Sequence, residues 1–376
     1  MSIQIKYKEI YRELSREINS GVFAVGERIP TEFQLAGRFG VTRQTVLKAL
    51  DVLKHDGMLR SVRGKGTYVA GTCRKTSRRE RSNKQFAYIC SNLQDSLGHR
   101  ILVGAEQAAS RAGYSLVACN TGNDSGSEAE YLRRSRDNRI SGIILLPYLQ
   151  SNRDLVRDLA GEIPLICVDN GYPDLNIPVV HTNNFLAMYN AVSYLIELGH
   201  SRIGYIMNSR ELLDFIPSAR DRFQGYRKAL SDHDLPFSQE WIAELGSELS
   251  HRRPGDVGLD LYGYPAMNRL ISAPEPPTAV ILQWDELAPG ALCAVRDAHK
   301  RVPEDFSLLG FNDDELCSLM TPQLTGVRQP AEAIGEQAVH CLLRMIGGEE
   351  TVPEKIQLPS KLIKRSSTGR VKTDNS

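Results

Sequence analysis

Arginine, glutamine and threonine are gathered in one short stretch, Thr42-Arg43-Gln44-Thr45. Arginine can donate two parallel hydrogen bonds to guanine, and glutamine can pair with the donor and acceptor of adenine. Basic residues stand nearby at Arg38 and Lys48, and again at Arg63 and Lys65 around Gly64 and Gly66. Such side chains suit phosphates or the minor groove, contacts that fix position rather than read sequence. A second set has a different chemistry. Ser91, Asp169, Asn170, Arg220, Arg222, Trp284 and Asn312 are spread along the rest of the chain. A carboxylate, amides and an arginine meeting in one cleft can bond neighbouring sugar hydroxyls in a fixed orientation. An indole ring can cover the apolar face of a pyranose. Apolar walls with a few placed polar groups are the usual make-up of a small-molecule site.

The elements that must hold the first set are legible. Tyr7, Ile10, Tyr11, Leu14 and Ile18 form one apolar face of an amphipathic helix that Gly21 ends. Pro30 and Thr31 open a second helix. Thr31-Glu32-Phe33-Gln34 has the spacing of a capping box, and Phe33, Leu35, Ala36 and Phe39 are expected on its buried side. Gly40 and Val41 make a tight turn, and Thr42 caps a third helix with Val46, Ala49, Leu50 and Leu53 facing the core until Gly57. Two helices joined by such a turn form a helix-turn-helix. The alternation through Met58–Arg63, then Gly64-Lys65-Gly66 and Thr67-Tyr68-Val69, reads as a hairpin, so the unit is a winged helix. The third helix would enter the major groove with Thr42, Arg43, Gln44 and Thr45 nearest the bases. Arg38, Lys48 and the wing residues Arg63, Lys65 and Gly66 would face the backbone.

These motifs resemble the gluconate-repressor (GntR) family of bacterial transcription factors. The residues that carry the resemblance are Gly26–Ala36, Val41–Val46 with Ala49, Leu50 and Leu53, then Gly57 and Gly64–Val69. It covers about residues 5–70. One position departs: Leu47 stands where the family commonly has Arg, which leaves Lys48 as the neighbouring cation.

Charge sharpens the division. The whole chain of 376 residues carries a net charge of +1. Residues 1–85 hold 18 Lys+Arg against 8 Asp+Glu, a net of +10, and the remainder holds 28 against 37, a net of −9. Such asymmetry marks a basic, nucleic-acid-facing part joined to an acidic one. Residues 71–85, with six Lys and Arg and no apolar periodicity, read as a basic linker, either touching phosphates or simply solvated.

From Phe86 onward, short apolar runs alternate with amphipathic segments. Strands are expected at Phe86–Cys90, Leu116–Cys119, Gly142–Leu146, Pro164–Val168, Ile203–Met207, Ala279–Leu282 and Phe306–Gly310. Helices are expected at Ile101–Ala112, Asn184–Leu198, Ser218–Ser231, Asp285–Ala298 and Ala331–Ile346. The alternation predicts α/β lobes of parallel strands flanked by helices, with ligands at the carboxyl ends of the strands. The length predicts two lobes with a cleft. Ser91, Asp169, Trp284 and Asn312 all follow strands, and Arg222 opens a helix. Asp285 is read either as a helix cap or as a ligand contact, Arg220 as a contact or a surface ion pair, and His200 as structural.

Ser141–Ile144, Pro164–Asp169, Leu198–Gly204, Arg222–Tyr226 and Leu309–Asp313 are similar to the lactose/galactose-repressor (LacI/GalR) effector domain. The resemblance implies a two-lobed periplasmic-binding-protein-like fold over about residues 86–365. It implies effector contacts at Asp169, Arg222, Trp284, Asn312 and Gln329, with Ser91 close by. Three positions depart: Asn312 and Asn183 where the family has Asp, and Trp284 where a small polar residue is usual.

The expected architecture is therefore a winged helix-turn-helix in residues 1–70, a linker in 71–85, and a sugar-binding and dimerising α/β domain in 86–376. The expected function is a sequence-specific DNA-binding regulator, a repressor of carbohydrate-utilisation genes controlled by a small sugar or sugar derivative. Its expected partners are a double-stranded DNA operator, the sugar and a second copy of the chain, a homodimer. No catalytic residues, metal or cofactor are expected. The alternative is an α/β enzyme acting on a sugar with an accessory DNA-binding domain, but phosphate-binding and nucleophile-elbow motifs are missing. Seven scattered cysteines without C-x-x-C spacing read as reduced thiols. The N-terminus has no apolar h-region, and no apolar run approaches the roughly 20 residues of a membrane span, so a cytoplasmic protein without membrane contact is expected.

Overall fold

The computed structural model describes residues 3–55, 57–62, 66–70, 83–245, 260–349 and 352–371. The chain forms two compact units, Met1–Ser82 and Asn83–Ser376.

The first unit contains α1 (Ile3–Asn19), α2 (Glu32–Phe39), α3 (Arg43–His55) and a hairpin of β1 (Leu59–Val62) and β2 (Gly66–Val69). Ile10, Leu14 and Ile18 of α1 are buried against Leu35 of α2 and Val46, Ala49, Leu50 and Leu53 of α3. The capping box forms: the Gln34 amide N–H donates to Thr31 Oγ1 at 3.4 Å, and the Thr31 N–H to Gln34 Oε1 at 2.8 Å. Gly40 takes a left-handed φ of 59° at the end of α2, a conformation that costs glycine little. The hairpin pairs Leu59 with Val69 and Val62 with Gly66 in antiparallel register. Leu59 and Val69 fall on the buried face and close the core. Phe33 corrects the expected α2 pattern. It is 82% exposed, because Leu35 alone of the helix turns fully inward while Ala36 and Phe39 pack at its margin.

The second unit has two lobes. Its elements are β3 (Asn83–Cys90), α4 (Ser96–Arg111), β4 (Ser115–Asn120), α5 (Ser125–Asp137), β5 (Ile140–Leu146), α6 (Arg153–Ala160), β6 (Leu165–Val168), β7 (Val179–Thr182), α7 (Asn184–Glu197), β8 (Ile203–Asn208), α8 (Pro217–Asp232), β9 (Ile242–Leu245), α9 (Asp260–Ile271), β10 (Ala279–Leu282), α10 (Ala288–Asp297), β11 (Ser307–Asn312), α11 (Glu315–Leu319), β12 (Thr325–Arg328), α12 (Ala331–Gly347), β13 (Lys355–Leu358) and β14 (Lys361–Ile363). One sheet runs β13-β7-β6-β5-β3-β4 and the other β14-β12-β11-β10-β8-β9. All neighbours are parallel except β12 and β14. Fully buried runs such as Ile143–Leu145 and Ala279–Leu282 have apolar side chains on both faces, as a doubly covered parallel sheet requires.

The chain passes between lobes after β7, after β12 and between β13 and β14. In the first lobe α4 and α12 touch at backbone level. A Cβ on Gly335 would sit 2.0 Å from the Ile101 carbonyl oxygen, so no side chain fits there. The expected linker also changes at its end, since Asn83, Lys84 and Gln85 belong to β3 and pair with β4 and β5. The expected Asp285–Ala298 helix begins as a 3₁₀ turn at Asp285–Leu287 and becomes α-helical only at Ala288, where Pro289 fits the first turn. Among the described residues, Cys90, Cys119, Cys167, Cys293, Cys317 and Cys341 are free thiols.

Candidate functional site

The inner face of α3 is taken by the core, so its outer face carries Arg43, Gln44 and Lys48, all exposed, with Thr42 at its start. Arg43 is 66% exposed and donates from Nε to Glu32 Oε2 at 2.8 Å. Exposed ion pairs of this kind are worth about 0–1 kcal/mol, so Arg43 can exchange Glu32 for a nucleic-acid acceptor at little cost. The Lys48 ammonium lies 4.8 Å from the Tyr7 ring centroid. Two residues stand apart from the expected base-facing and phosphate-facing sets. Thr45 is 5% exposed and its hydroxyl lies 3.0 Å from that of Thr42, so it secures the helix start instead of pointing outward. Arg38 turns toward α1, pairing with Glu17 and, at 3.4 Å, with Glu13, which raises its pKa further.

The wing tip residues Arg63 and Lys65 lie outside the described residues. Gly66 begins β2 with φ 115°, and a Cβ there would meet Arg28 Nε at 2.6 Å. Arg28, exposed and bridged to Tyr68, thus lines a groove of ≈ 340 Å³ with Thr31, Glu32, Phe33 and Arg43. The sequence reading missed Arg28, which is distant from α3 in sequence and is brought alongside by its bridge to β2.

In the second unit the strand ends converge as expected. Asp169 follows β6 with a left-handed φ of 59° and is 9% exposed. Its Oδ2 accepts from Asn170 Nδ2 at 2.7 Å, while Oδ1 is buried without a partner. From the other lobe, Arg222 of α8 is 6% exposed. It donates from Nε to Asn184 Oδ1 at 2.8 Å and from Nη1 to the Gln283 carbonyl at 3.0 Å. Its guanidinium carbon lies 3.7 Å from the Phe311 ring centroid. Burial lowers the Arg222 pKa and raises that of Asp169, with the opposite charges of the two working against both shifts. Asn170 Oδ1 accepts from the Ser218 N–H at 2.9 Å, tying the first lobe to the start of α8.

Beside this pair lies a chain of amides at the hinge. Thr182 Oγ1 donates to Gln329 Oε1 at 2.7 Å, and Gln329 Nε2 donates to Asn312 Oδ1 at 2.7 Å. Gln329 is fully buried and spends both ends of its amide on protein. It therefore holds the crossing strands together rather than facing a ligand, a correction to the expected contact. Asn312 is 6% exposed with φ 123°, and its carbonyl accepts from Arg100 Nη1 at 3.3 Å. Ser91 is half-buried after β3. Trp284 is half-buried after β10 and packs against the apolar cluster of Leu282, Leu287 and Leu308.

Three carboxylates that the sequence reading passed over, Asp95, Glu286 and Asp314, complete the cleft. Asp95 follows β3 and accepts from the Gly98 N–H at 3.2 Å as the cap of α4. Loss of solvation pushes its carboxyl up to about 6, helped by the charges of Asp169 and Asp314. Across from it, Glu286 has an unpartnered buried Oε2. Its carboxyl is pushed to about 8, by desolvation first and then by Asp95 and Asp314. Asp314 accepts from the Ser96 hydroxyl across the lobes. Asp285 is fully buried beneath these groups, accepting from the Asp314 N–H at 2.9 Å, and burial lifts it to about 7. The Asp–x–x–Gly cap after the first strand was a readable signal for Asp95, whereas Glu286 has no local signature. Arg220 stays 4.0 Å from Asp221 at the surface, and His200 is held by Thr278, Ser307 and the Gly369 carbonyl as a structural residue.

Comparison with known proteins fits both halves. Residues 6–69 match the family of bacterial regulatory proteins, gntR family, and residues 192–368 match the periplasmic binding protein-like domain. The chain is 30% identical over 334 residues to the HTH-type transcriptional repressor PurR of Mannheimia succiniciproducens, covering 88% of this chain and 90% of that protein. It belongs to the LacI family of transcriptional repressors. Its DNA-binding end is of the gntR type. Another relative is the arabinose metabolism transcriptional repressor of Geobacillus stearothermophilus, 28% identical over 373 residues, 97% of this chain and 98% of that one. A LacI family transcriptional regulator from Enterococcus faecium with bound ribose shares the fold, with a TM-score of 0.64 and 24% identity over 77% of this chain and all of that one. Repressors of the LacI family bind DNA operators and small-molecule effectors, and the regulator reading stands over the enzyme alternative. Among the described residues, no helix is long and apolar enough to cross a membrane.

Proposed function

We propose that this LacI-family repressor controls carbohydrate-utilisation genes from the cytoplasm as a homodimer, released or engaged by a small sugar bound between its lobes. Two copies of α3 would enter successive major grooves of a two-fold symmetric operator, with Arg43 and Gln44 at base edges. Lys48, Arg28 and the wing residues Arg63 and Lys65 would meet the backbone. The observation that carries the sugar reading is the Asp169 carboxylate, buried with Oδ1 unpartnered, beside the buried Arg222 of the opposite lobe. A buried acceptor without a donor costs free energy. A ligand hydroxyl that donates to Asp169 and accepts from Arg222 removes that cost only when the lobes are closed on it. Ligand binding would then favour one lobe arrangement by its differential affinity and so alter the spacing of the DNA-binding units. The relative named for arabinose metabolism supports a sugar as the class of effector.

The test uses the full chain and a duplex that it selects from a random pool. A monosaccharide panel is titrated by calorimetry and by fluorescence anisotropy of the bound duplex. The expected result is one sugar that binds and shifts the duplex affinity, with both effects lost in Asp169→Ala while sugar-free duplex binding stays intact. Normal sugar binding by Asp169→Ala would remove the carboxylate from the site.

A further inference from the structure

The effector reading can be taken one step further, to the charge of the ligand, and the step rests on that reading. We infer that the cleft takes an unphosphorylated polyhydroxy compound and that its own carboxylates turn away sugar phosphates and other anions. Both lobes put acids into it: Asp95 and Asp169 from the first, Glu286 and Asp314 from the second. Two of these offer buried oxygens with no donor, Asp169 Oδ1 and Glu286 Oε2. A polyol brings hydroxyl donors to such atoms. A phosphate group brings only acceptors and about two negative charges at neutral pH.

The usual means of holding an anion are scarce in the cleft. Proteins bind phosphates with free amides at helix starts or with arginine forks. The start of α4 is closed by the Asp95 side chain on the Gly98 N–H. The start of α8 gives its Ser218 N–H to Asn170. The turn leading into α10 is made of Asp285 and Glu286 themselves. Among the described residues, Arg222 is the one arginine buried in the cleft; Asn184 and the Gln283 carbonyl take its Nε and one Nη1 hydrogen bond and Phe311 covers its face, so what remains is a single positive charge set among four carboxylates. Burial first, and then the negative charges of Asp95 and Asp314, raise the Glu286 carboxyl.

The test titrates the full chain with L-arabinose, D-ribose, D-xylulose, D-glucose and D-galactose and with their phosphate esters, by calorimetry at pH 9, above the raised Glu286 carboxyl of about 8 so that the group is ionised. At least one free sugar should bind, with its ester weaker by about 100-fold or more. In Glu286→Gln, which keeps the shape and removes the charge, the gap should narrow by about tenfold. An ester that binds as well as its parent overturns this inference and leaves the sugar-effector reading standing. A gap unchanged in folded Glu286→Gln overturns the role of that carboxylate. If no free sugar binds, the effector reading falls and this inference with it.

Discussion

The two units handle charge in opposite ways. In the first, the groups that matter are exposed and loosely tied: Arg43 to Glu32, Lys48 against Tyr7. In the second they are buried, and some are tied to nothing: Asp169 Oδ1, Glu286 Oε2 and, beneath them, Asp285 Oδ1. An exposed arginine changes partner for about 1 kcal/mol or less, so a DNA-facing surface made this way can bind and release phosphates readily. A buried carboxylate cannot return to water without opening the structure. Protonation, a ligand or lobe movement relieves that cost, which suits a sensor. Charge in the first unit is set out toward a partner from outside, whereas charge in the second is bound up with how the two lobes pack.

The sharpest way to break this comparison is to remove the buried cation. Arg222→Ala leaves Asn184 and the Gln283 carbonyl without their donor and removes the positive charge that opposes the rise in the Asp169 pKa. A loss of about 3–5 kcal/mol in effector-unit stability is expected, in line with removing one member of a buried charged network. Both tryptophans, Trp241 and Trp284, belong to this unit, so denaturant unfolding followed by tryptophan fluorescence reads it selectively. A loss below 1 kcal/mol would show that Arg222 behaves like the surface arginines of the first unit.

The buried acids give the next largest effect, through pH. Asp95, Asp285 and Glu286 are raised to about 6, about 7 and about 8, above their unfolded values. A carboxyl raised in the folded state supports stability fully below its unfolded pKa, and that support is lost as pH rises through the folded pKa. The tryptophan-monitored midpoint should therefore fall steadily from pH 5 to pH 8.5, and Glu286→Gln should flatten the upper part of the slope. A level profile over that range would deny the buried acids any such role.

These contrasts were unequally legible in the sequence. Most of the fold could be read because its signals are local. The capping box at Thr31–Gln34, the Gly40 turn and the apolar runs of the central strands need only near neighbours. Short strands such as β7, β12 and β14 were not found, since three or four residues with His181, Arg328 or Lys361 among them lack a pattern of their own. Phe33 and Thr45 were misplaced because helix periodicity fixes a face only to within a residue or so over short helices. In the cleft, Asp169 and Arg222 fell where the strand-end rule and the resemblance put them. Asp95 and Glu286 matter only because two lobes bring them together, and Gln329 drops out for the same reason, its amide being consumed across the hinge.

At the DNA-facing end, Arg43→Ala should weaken binding to the selected duplex by about 1–3 kcal/mol and leave folding nearly unchanged. Anisotropy titrations on selected and scrambled duplexes separate base reading from backbone attraction. Affinity for both should fall steeply with salt, since phosphate contacts release counterions. Equal losses on the two duplexes would make Arg43 a backbone contact like Lys48.

The smallest expected effect tests how loosely the first unit holds its charges. Glu32→Gln removes the surface partner of Arg43 while keeping a hydrogen-bond acceptor near its Nε. If the pair is as weak as its exposure implies, folding stability should change by less than about 1 kcal/mol. On DNA two consequences oppose each other. One fewer negative charge on the binding face favours any duplex, whereas a less firmly held guanidinium reads a particular base less well. The scrambled duplex should therefore gain affinity slightly and the selected one should not, so the ratio between them narrows. Should both duplexes gain equally, Glu32 acts only as a counter-charge. Should the selected duplex alone lose affinity, Glu32 holds Arg43 in its reading geometry, and even the exposed unit then contains one charge pair whose value lies in its position.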